Sequence, residues 1–151
     1  MIASLIVMMM AVAAQDHQHA DLTRRGEAVM GFDQSTTTHH FRLTAQGGDI
    51  EVTANDAKDS ASIAQIRTHL QHIATSFAAG NFTAPMLIHA REPPGVKAMK
   101  RGGDRIAYSF EEIERGGIVK MVTASPALRD AVREFLRFQI EDHKTGDPVR
   151  D

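Results

Sequence analysis

The chain has 151 residues, of which 42% are hydrophobic and 24% are charged, a balance typical of one soluble globular domain. Its 17 Lys and Arg residues against 19 Asp and Glu residues leave a formal charge of −2, which excludes the basic field of a nucleic-acid-binding protein. Cysteine is absent, so disulfides, thiolate metal sites and a cysteine nucleophile are also excluded.

The first predicted element is a signal peptide over residues 1–14. Residues 2–14 form an uncharged apolar run, shorter than the ~20 residues that span a bilayer, and Val12-Ala13-Ala14 supplies the small residues of a cleavage site. A buried N-terminal helix is the alternative, but the run has no polar face. We therefore expect a periplasmic or secreted protein with no membrane attachment after cleavage.

Residues 15–36 are predicted to be a flexible N-terminal segment, and Gly26–Thr38 reads as irregular. Cleavage after Ala14 would make His17 the third residue of the mature chain. A free amine, two backbone amides and a third-position imidazole can hold Cu(II) or Ni(II) in a square plane. The alternative is a frayed polar tail.

Residues 37–151 are predicted to form one domain. Apolar and polar residues alternate on both sides of Gly47-Gly48, which predicts a hairpin with its tight turn at the two glycines. Such a turn pairs Ala45 with Ile50 and Leu43 with Val52. Polar capping residues follow, and an apolar residue then recurs at three- and four-residue steps until Gly80, which predicts a helix.

The same order of signals occurs a second time. A β pattern opens at Ile106, Arg115-Gly116-Gly117 is predicted to turn it, and Ser125-Pro126 begins a second amphipathic helix. The prediction is an α+β fold of two ββα repeats, with a four-stranded antiparallel sheet and two helices on one face. The long connection Asn81–Asp104 is typical of a functional or mobile segment.

The second helix is apolar over more than half its circumference, because Phe138 lies well away from Leu136 and Ile140. This excess predicts either a homodimer interface or a deeply packed helix.

Histidine is the unusual ingredient, with eight residues, all after residue 14. Imidazole suits zinc, copper and nickel, and thioether adds a preference for Cu(I), so copper fits this inventory best. No strong metal motif occurs in the folded part, so the signal is compositional. The candidate metal ligands are His39, His69, His89, His143, Met30 and His17, with Met86 and Met99 as further thioethers.

Enzyme signatures are missing. The sequence contains no nucleophile elbow, phosphate-binding loop or dinucleotide fingerprint. A small hydrolase or transferase would need His39 or His143 as general base beside an orienting carboxylate such as Asp33 or Asp142. The sequence therefore favours a binding protein over an enzyme.

Three motifs resemble a group of small exported bacterial proteins. They are Met30-Gly31-Phe32-Asp33-Gln34 with His39-His40-Phe41, the run from Ile66 to Ile73, and the run from Phe138 to Asp147. The resemblance covers most of the mature chain and implies export and a single domain, but no catalytic role. Such sequences sometimes carry an aspartate carbamoyltransferase label; that enzyme needs two α/β domains and a carbamoyl-phosphate loop, which this pattern does not provide.

The resulting hypotheses, in order, are an exported transition-metal binder, a metal-free binding or interaction domain, and a small histidine-based hydrolase or transferase. The first expects histidines from separate segments to converge on a metal ion or small ligand. The second expects scattered histidines beside an exposed apolar patch, and the third expects a pocket with a histidine–carboxylate pair.

Overall fold

The computed structural model describes residue 17 and residues 20–150. Helix α1 covers residues 20–30. The remaining elements are a 3-10 turn at Gln34–Thr36, β1 (Thr37–Thr44), β2 (Gly47–Ala54), α2 (Ser60–Ala78), α3 (Thr83–His89), α4 (Val96–Gly102), a 3-10 turn at Gly103–Arg105, β3 (Ala107–Ile113), β4 (Gly116–Val122) and α5 (Pro126–His143). None of the helices within the described residues is long and apolar enough to cross a membrane.

The four strands form one sheet in the order β1-β2-β4-β3, and every neighbouring pair is antiparallel. Helix α2 packs mainly on β3 and β4, and α5 packs on β1 and β2. The two helices meet on the same face, because the Phe77 ring of α2 lies 6.0 Å from the Phe135 ring of α5. The predicted α+β fold with its four-stranded antiparallel sheet is confirmed.

The register of the first hairpin differs from the prediction. Leu43 lies opposite Gly48, not opposite Val52, so the turn falls at residues 45–46 and both glycines belong to β2. Close packing explains the glycines: a Cβ on Gly48 would lie 2.1 Å from Leu136 Cδ1 of α5. The apolar side chains still share one face of the hairpin, because the register moves by an even number of residues.

The second hairpin shows the same displacement. Its turn falls at residues 114–115, and Gly116 and Gly117 lie inside β4 instead of forming the turn. A Cβ on Gly116 would lie 2.0 Å from the backbone oxygen of Val52 on the neighbouring strand. Each glycine pair therefore permits close packing within the domain.

The N-terminal segment also differs from the prediction. Residues 20–30, predicted as flexible, form α1 and contribute Leu22 and Met30 to the buried core, and the irregular stretch begins only after them. The predicted signal peptide at residues 1–14 lies outside the described residues.

The connection between the two halves contains α3 and α4, which sequence periodicity did not identify. Phe138 of α5 is only 8% exposed, because the end of α3 and the residues that follow it cover the ring: the His89 ring lies 4.8 Å away and the Arg91 guanidinium 4.6 Å away. This packing accounts for the apolar excess of α5 on which the homodimer prediction was based.

Candidate functional site

A small cavity of about 60 Å³ lies between the sheet and the helices, and we call it the histidine cavity. Met30 of α1, His39 of β1, His69 of α2 and His143 of α5 line it, together with Gln139. The other lining residues are apolar. Four of the predicted ligand residues, from four separate elements, thus converge on one space.

His39 lies two residues from the buried Phe41 on β1 and therefore faces the helices on the same side of the strand. Its Nε2 is buried without a hydrogen-bond partner among the described residues. Burial, with smaller contributions from the nearby imidazoles of His69 and His40, lowers the pKa of His39 to about 4. At neutral pH the ring is therefore uncharged and can offer a nitrogen lone pair.

His69 lies across the cavity on α2. Burial lowers the pKa of His69 to about 4, with a smaller contribution from His72 one helical turn away. The buried Phe32 ring covers both imidazoles, at centroid distances of 6.0 Å from His39 and 5.6 Å from His69. This cover keeps two neutral imidazoles in an apolar environment.

His143, the last residue of α5, lies beside His39. The two rings are 6.1 Å apart and inclined by only 9°. The helix ends here because Lys144 adopts the left-handed conformation (φ 54°) and donates its backbone N–H to the Ile140 oxygen. The cap thereby sets the position of His143.

His89 does not line the cavity, in contrast to the prediction. Its side chain is 1% exposed, with Nδ1 2.5 Å from Asp142 Oδ2 and Nε2 2.8 Å from Gln139 Oε1. Both ring nitrogens are therefore occupied by hydrogen bonds, and His89 is removed from the ligand set. Its partners lie 50 and 53 residues away, a contact that local sequence spacing does not reveal.

The other predicted ligands lie elsewhere. His17 is exposed and does not line the cavity. Met99 is buried in the core, and Met86 lies beside Lys100, so neither thioether reaches the cavity. Of the three methionines considered, Met30 alone belongs to the site.

A polar cleft of about 360 Å³ shares two lining residues, His39 and His143, with the histidine cavity. Its remaining walls carry mainly hydroxyl and amide groups, together with His40. His40 Nδ1 lies 2.7 Å from Asp147 Oδ1, a pair that the sequence analysis missed. Neighbouring residues of a strand point to opposite faces, so His40 lies on the opposite face of β1 from His39, and no local pattern indicates that the C-terminal segment passes this edge strand.

Asp147 holds the C-terminal segment against β1. Its Oδ2 accepts hydrogen bonds from the Phe41 backbone N–H (2.9 Å) and from Thr145 Oγ1 (2.7 Å). Burial opposes ionisation of Asp147, but these bonds and that from His40 outweigh it and hold the pKa below its ordinary value. Because β1 is an edge strand, the segment also covers an otherwise unpaired N–H.

The carboxylates considered for a histidine base have other partners. Asp33 accepts the Ser35 backbone N–H and caps the first 3-10 turn, and Asp142 binds His89. Within the described part of the chain, no three His, Asp or Glu residues are grouped so that they could hold a metal ion. Any metal bound in the cavity would therefore need a ligand of another kind, and Met30 is available there.

No protein-family model matches the chain, and neither a curated protein nor a solved structure matches it.

Proposed function

We propose that this chain is an exported copper-binding protein whose site is the histidine cavity. In this proposal His39 and His69 supply imidazole nitrogens and Met30 supplies a thioether. The observation that carries the proposal is His39 Nε2, which is buried without a partner beside the second neutral imidazole. An orphaned buried nitrogen is costly unless something binds it.

The size of the cavity favours an ion over an organic ligand. Its volume of about 60 Å³ compares with roughly 150 Å³ for an engineered cavity that binds benzene. A metal ion with one small ligand fits this space. Water alone could fill it too, but water would leave no reason for three metal-binding side chains to converge there.

The donor set favours copper over zinc. Structural zinc usually takes four nitrogen, sulfur or oxygen ligands, and the described residues contain no group of three His, Asp or Glu residues for it. Thioether favours Cu(I), and imidazole binds both oxidation states of copper. The predicted signal peptide would deliver this site to the periplasm or the exterior.

The polar cleft supports a second candidate, a metal-free binding role. Its volume of about 360 Å³ falls within the roughly 300–1,000 Å³ of small-molecule sites. Its hydroxyl, amide and imidazole lining suits a small polar ligand. A ligand bound in this cleft would need neither copper nor the side chains of His69 and Met30, which do not line it.

The test is Cu(I) titration of the full chain in competition with a chromogenic chelator. We expect one tightly bound copper per chain, and an affinity loss of about 100-fold or more in His39→Ala or His69→Ala, since losing a ligand should exceed the 10–100-fold cost of losing a group that supports one. His72→Ala is the matched control, because His72 is exposed on the same helix as His69.

A second control distinguishes copper bound in the cavity from copper bound by the N-terminal segment. The double variant His17→Ala, His19→Ala removes only the two imidazoles of that segment. Loss of tight binding in this variant alone would reassign the site to the tail. Equal binding by wild type and His39→Ala would contradict the cavity site. Absence of tight binding in the wild type would favour the metal-free role.

A further inference from the structure

The strand β3 forms one of the two edges of the sheet. A two-residue turn joins it to β4, and Ile113 closes this turn opposite Gly116. The closing pair of such a hairpin exchanges backbone hydrogen bonds, and the exchange recurs at every second residue. The backbone N–H and C=O groups of Tyr108, Phe110 and Glu112 therefore face away from the sheet. None of these groups is hydrogen-bonded to another residue in the described part of the chain.

The opposite edge, β1, follows the same alternation but is covered. Thr44 closes the first hairpin opposite Gly47, so the backbone of Phe41 faces outwards, and its N–H donates to Asp147. The strand β3 has no bulge, because each residue of Ala107–Ile113 lies opposite one residue of β4, and it contains no proline. A regular edge with free backbone groups can extend its ladder with another strand.

The sequence of β3 is complementary to itself about Ser109. If two copies of β3 pair antiparallel about this residue, Tyr108 of each copy lies opposite Phe110 of the other, and their outward backbone groups meet. Both aromatic side chains pack against the core and are still partly exposed. Aromatic residues that face each other across strands stabilise a sheet. The same register thus satisfies the free backbone groups and covers aromatic surface.

The charges of β3 also favour a second copy in this register. Glu111 would lie opposite Ala107 of the other copy, and the two Glu111 residues would be four residues apart, about 13 Å along the strands. Arg105, exposed just before the strand, would lie diagonally across from Glu111 of the other copy. A parallel pairing in register would instead place like charges side by side, which is destabilising.

We propose that β3 is a self-association edge, at which two copies of this chain pair antiparallel about Ser109 and join their four-stranded sheets into one. One strand pair is a small interface compared with the roughly 1,600 Å² of a standard stable complex. We therefore expect a reversible dimer that forms at high protein concentration. The edge lies on the far side of the sheet from β1 and His39, so the dimer requires no copper.

The first test is disulfide trapping in the metal-free full chain, which has no cysteine of its own. Ser109 would face its own counterpart in a non-hydrogen-bonded pair, where the Cα atoms are about 4.5 Å apart, within the range of a disulfide. Diamide should therefore convert Ser109→Cys rapidly to a covalent dimer. Ala107→Cys and Glu111→Cys, at exposed positions of the same strand, are matched controls that should cross-link much more slowly, because the register separates their counterparts.

The second test is sedimentation equilibrium of the metal-free protein up to about 1 mM. Ser109→Glu would place two carboxylates face to face between the copies, and we expect dimerisation to weaken about tenfold or more. Within each copy the new carboxylate lies opposite Lys120, so the fold should be retained. Thr53→Glu, on β2, is the control and should dimerise like wild type.

Three results would overturn the β3 interface. They are a wild type that stays monomeric at the highest concentration, a dimer unaffected by Ser109→Glu, and a Ser109→Cys variant that cross-links no faster than its two controls. Both tests use protein without metal, so any of these results would leave copper binding in the histidine cavity untouched.

Discussion

The imidazole rings of His39 and His143 lie 6.1 Å apart and nearly parallel, and they join the edge strand β1 to the last turn of α5. Both rings line the apolar histidine cavity, and both also line the polar cleft. A substitution at either histidine therefore changes a space suited to an ion and a space suited to a polar molecule together.

The first prediction concerns the pH dependence of stability. His39 and His69 have pKa values of about 4 in the folded protein, against about 6.5 in an unfolded chain. The unfolded state therefore binds more protons as the pH falls through 6.5 towards 4. The stability that the two neutral rings contribute is present above pH 6.5 and is lost across this window.

The expected loss of unfolding free energy is about 2 kcal/mol for each ring, reduced for the solvent contact that each ring retains. Urea denaturation of the metal-free protein between pH 7 and pH 4 measures it. Replacing His39 with Gln should flatten the pH dependence, and His72→Gln should leave it unchanged. An equally steep curve for His39→Gln would show that His39 does not titrate in this way.

The second prediction concerns Tyr108. Its hydroxyl is buried without a hydrogen-bond partner among the described residues, and burial raises its pKa. Tyr108→Phe removes the unsatisfied group and keeps the ring, so we expect the unfolding free energy to rise by about 1 kcal/mol. Thermal or urea denaturation measures the change. A loss of stability would mean that the hydroxyl has a partner in solution.

The third prediction concerns the hydrogen bonds between Asp147 and β1. Asp147→Ala removes the acceptor for His40, for the Phe41 N–H and for Thr145, and we expect a loss of about 2 kcal/mol at pH 7. The Phe41 amide should also exchange with deuterium faster, because it lies on the edge of the sheet. Asp130→Ala, at an exposed position of α5, is the control. If the Phe41 amide exchanges at the same rate in Asp147→Ala, the hydrogen bond from this amide to Asp147 is contradicted.

The fourth prediction tests why the glycines lie inside strands. Gly48→Ala places a Cβ 2.1 Å from Leu136 Cδ1 and 2.5 Å from the Arg42 oxygen, and we expect a cost of about 2 kcal/mol or more from overpacking. Gly80→Ala is the comparison, because its Cβ meets nothing within 4 Å. Its only cost is the backbone strain of a non-glycine residue at φ +74°, about 1 kcal/mol. Equal costs at the two positions would contradict the packing explanation.

Periodicity in the sequence predicts the strands, the two long helices and the inward direction of His39, because these depend on neighbours a few residues apart. It misplaces the hairpin turns, because the requirement for glycine at Gly48 comes from Leu136, a residue 88 positions further along the chain. It misses α3 and α4, whose seven residues are too few to show a helical period.

The candidate site also combines residues that the sequence predicts with contacts that only the fold creates. Residue chemistry alone selects His39, His69, His143 and Met30, and the fold brings these four together. It also selects His89, which the structure assigns to Asp142 and Gln139 instead. The pairing of His40 with Asp147, 107 residues away, depends on the path of the C-terminal segment and has no local signature.

X-ray absorption spectroscopy of the full chain loaded with one equivalent of Cu(I) shows directly whether His39, His69 and Met30 hold the copper. We expect imidazole nitrogen and one sulfur in the first coordination shell. Met30→Leu should lose the sulfur, and His39→Ala should lose imidazole scattering. A wild-type spectrum with nitrogen and oxygen only, unchanged by either substitution, would exclude copper binding by His39 and Met30.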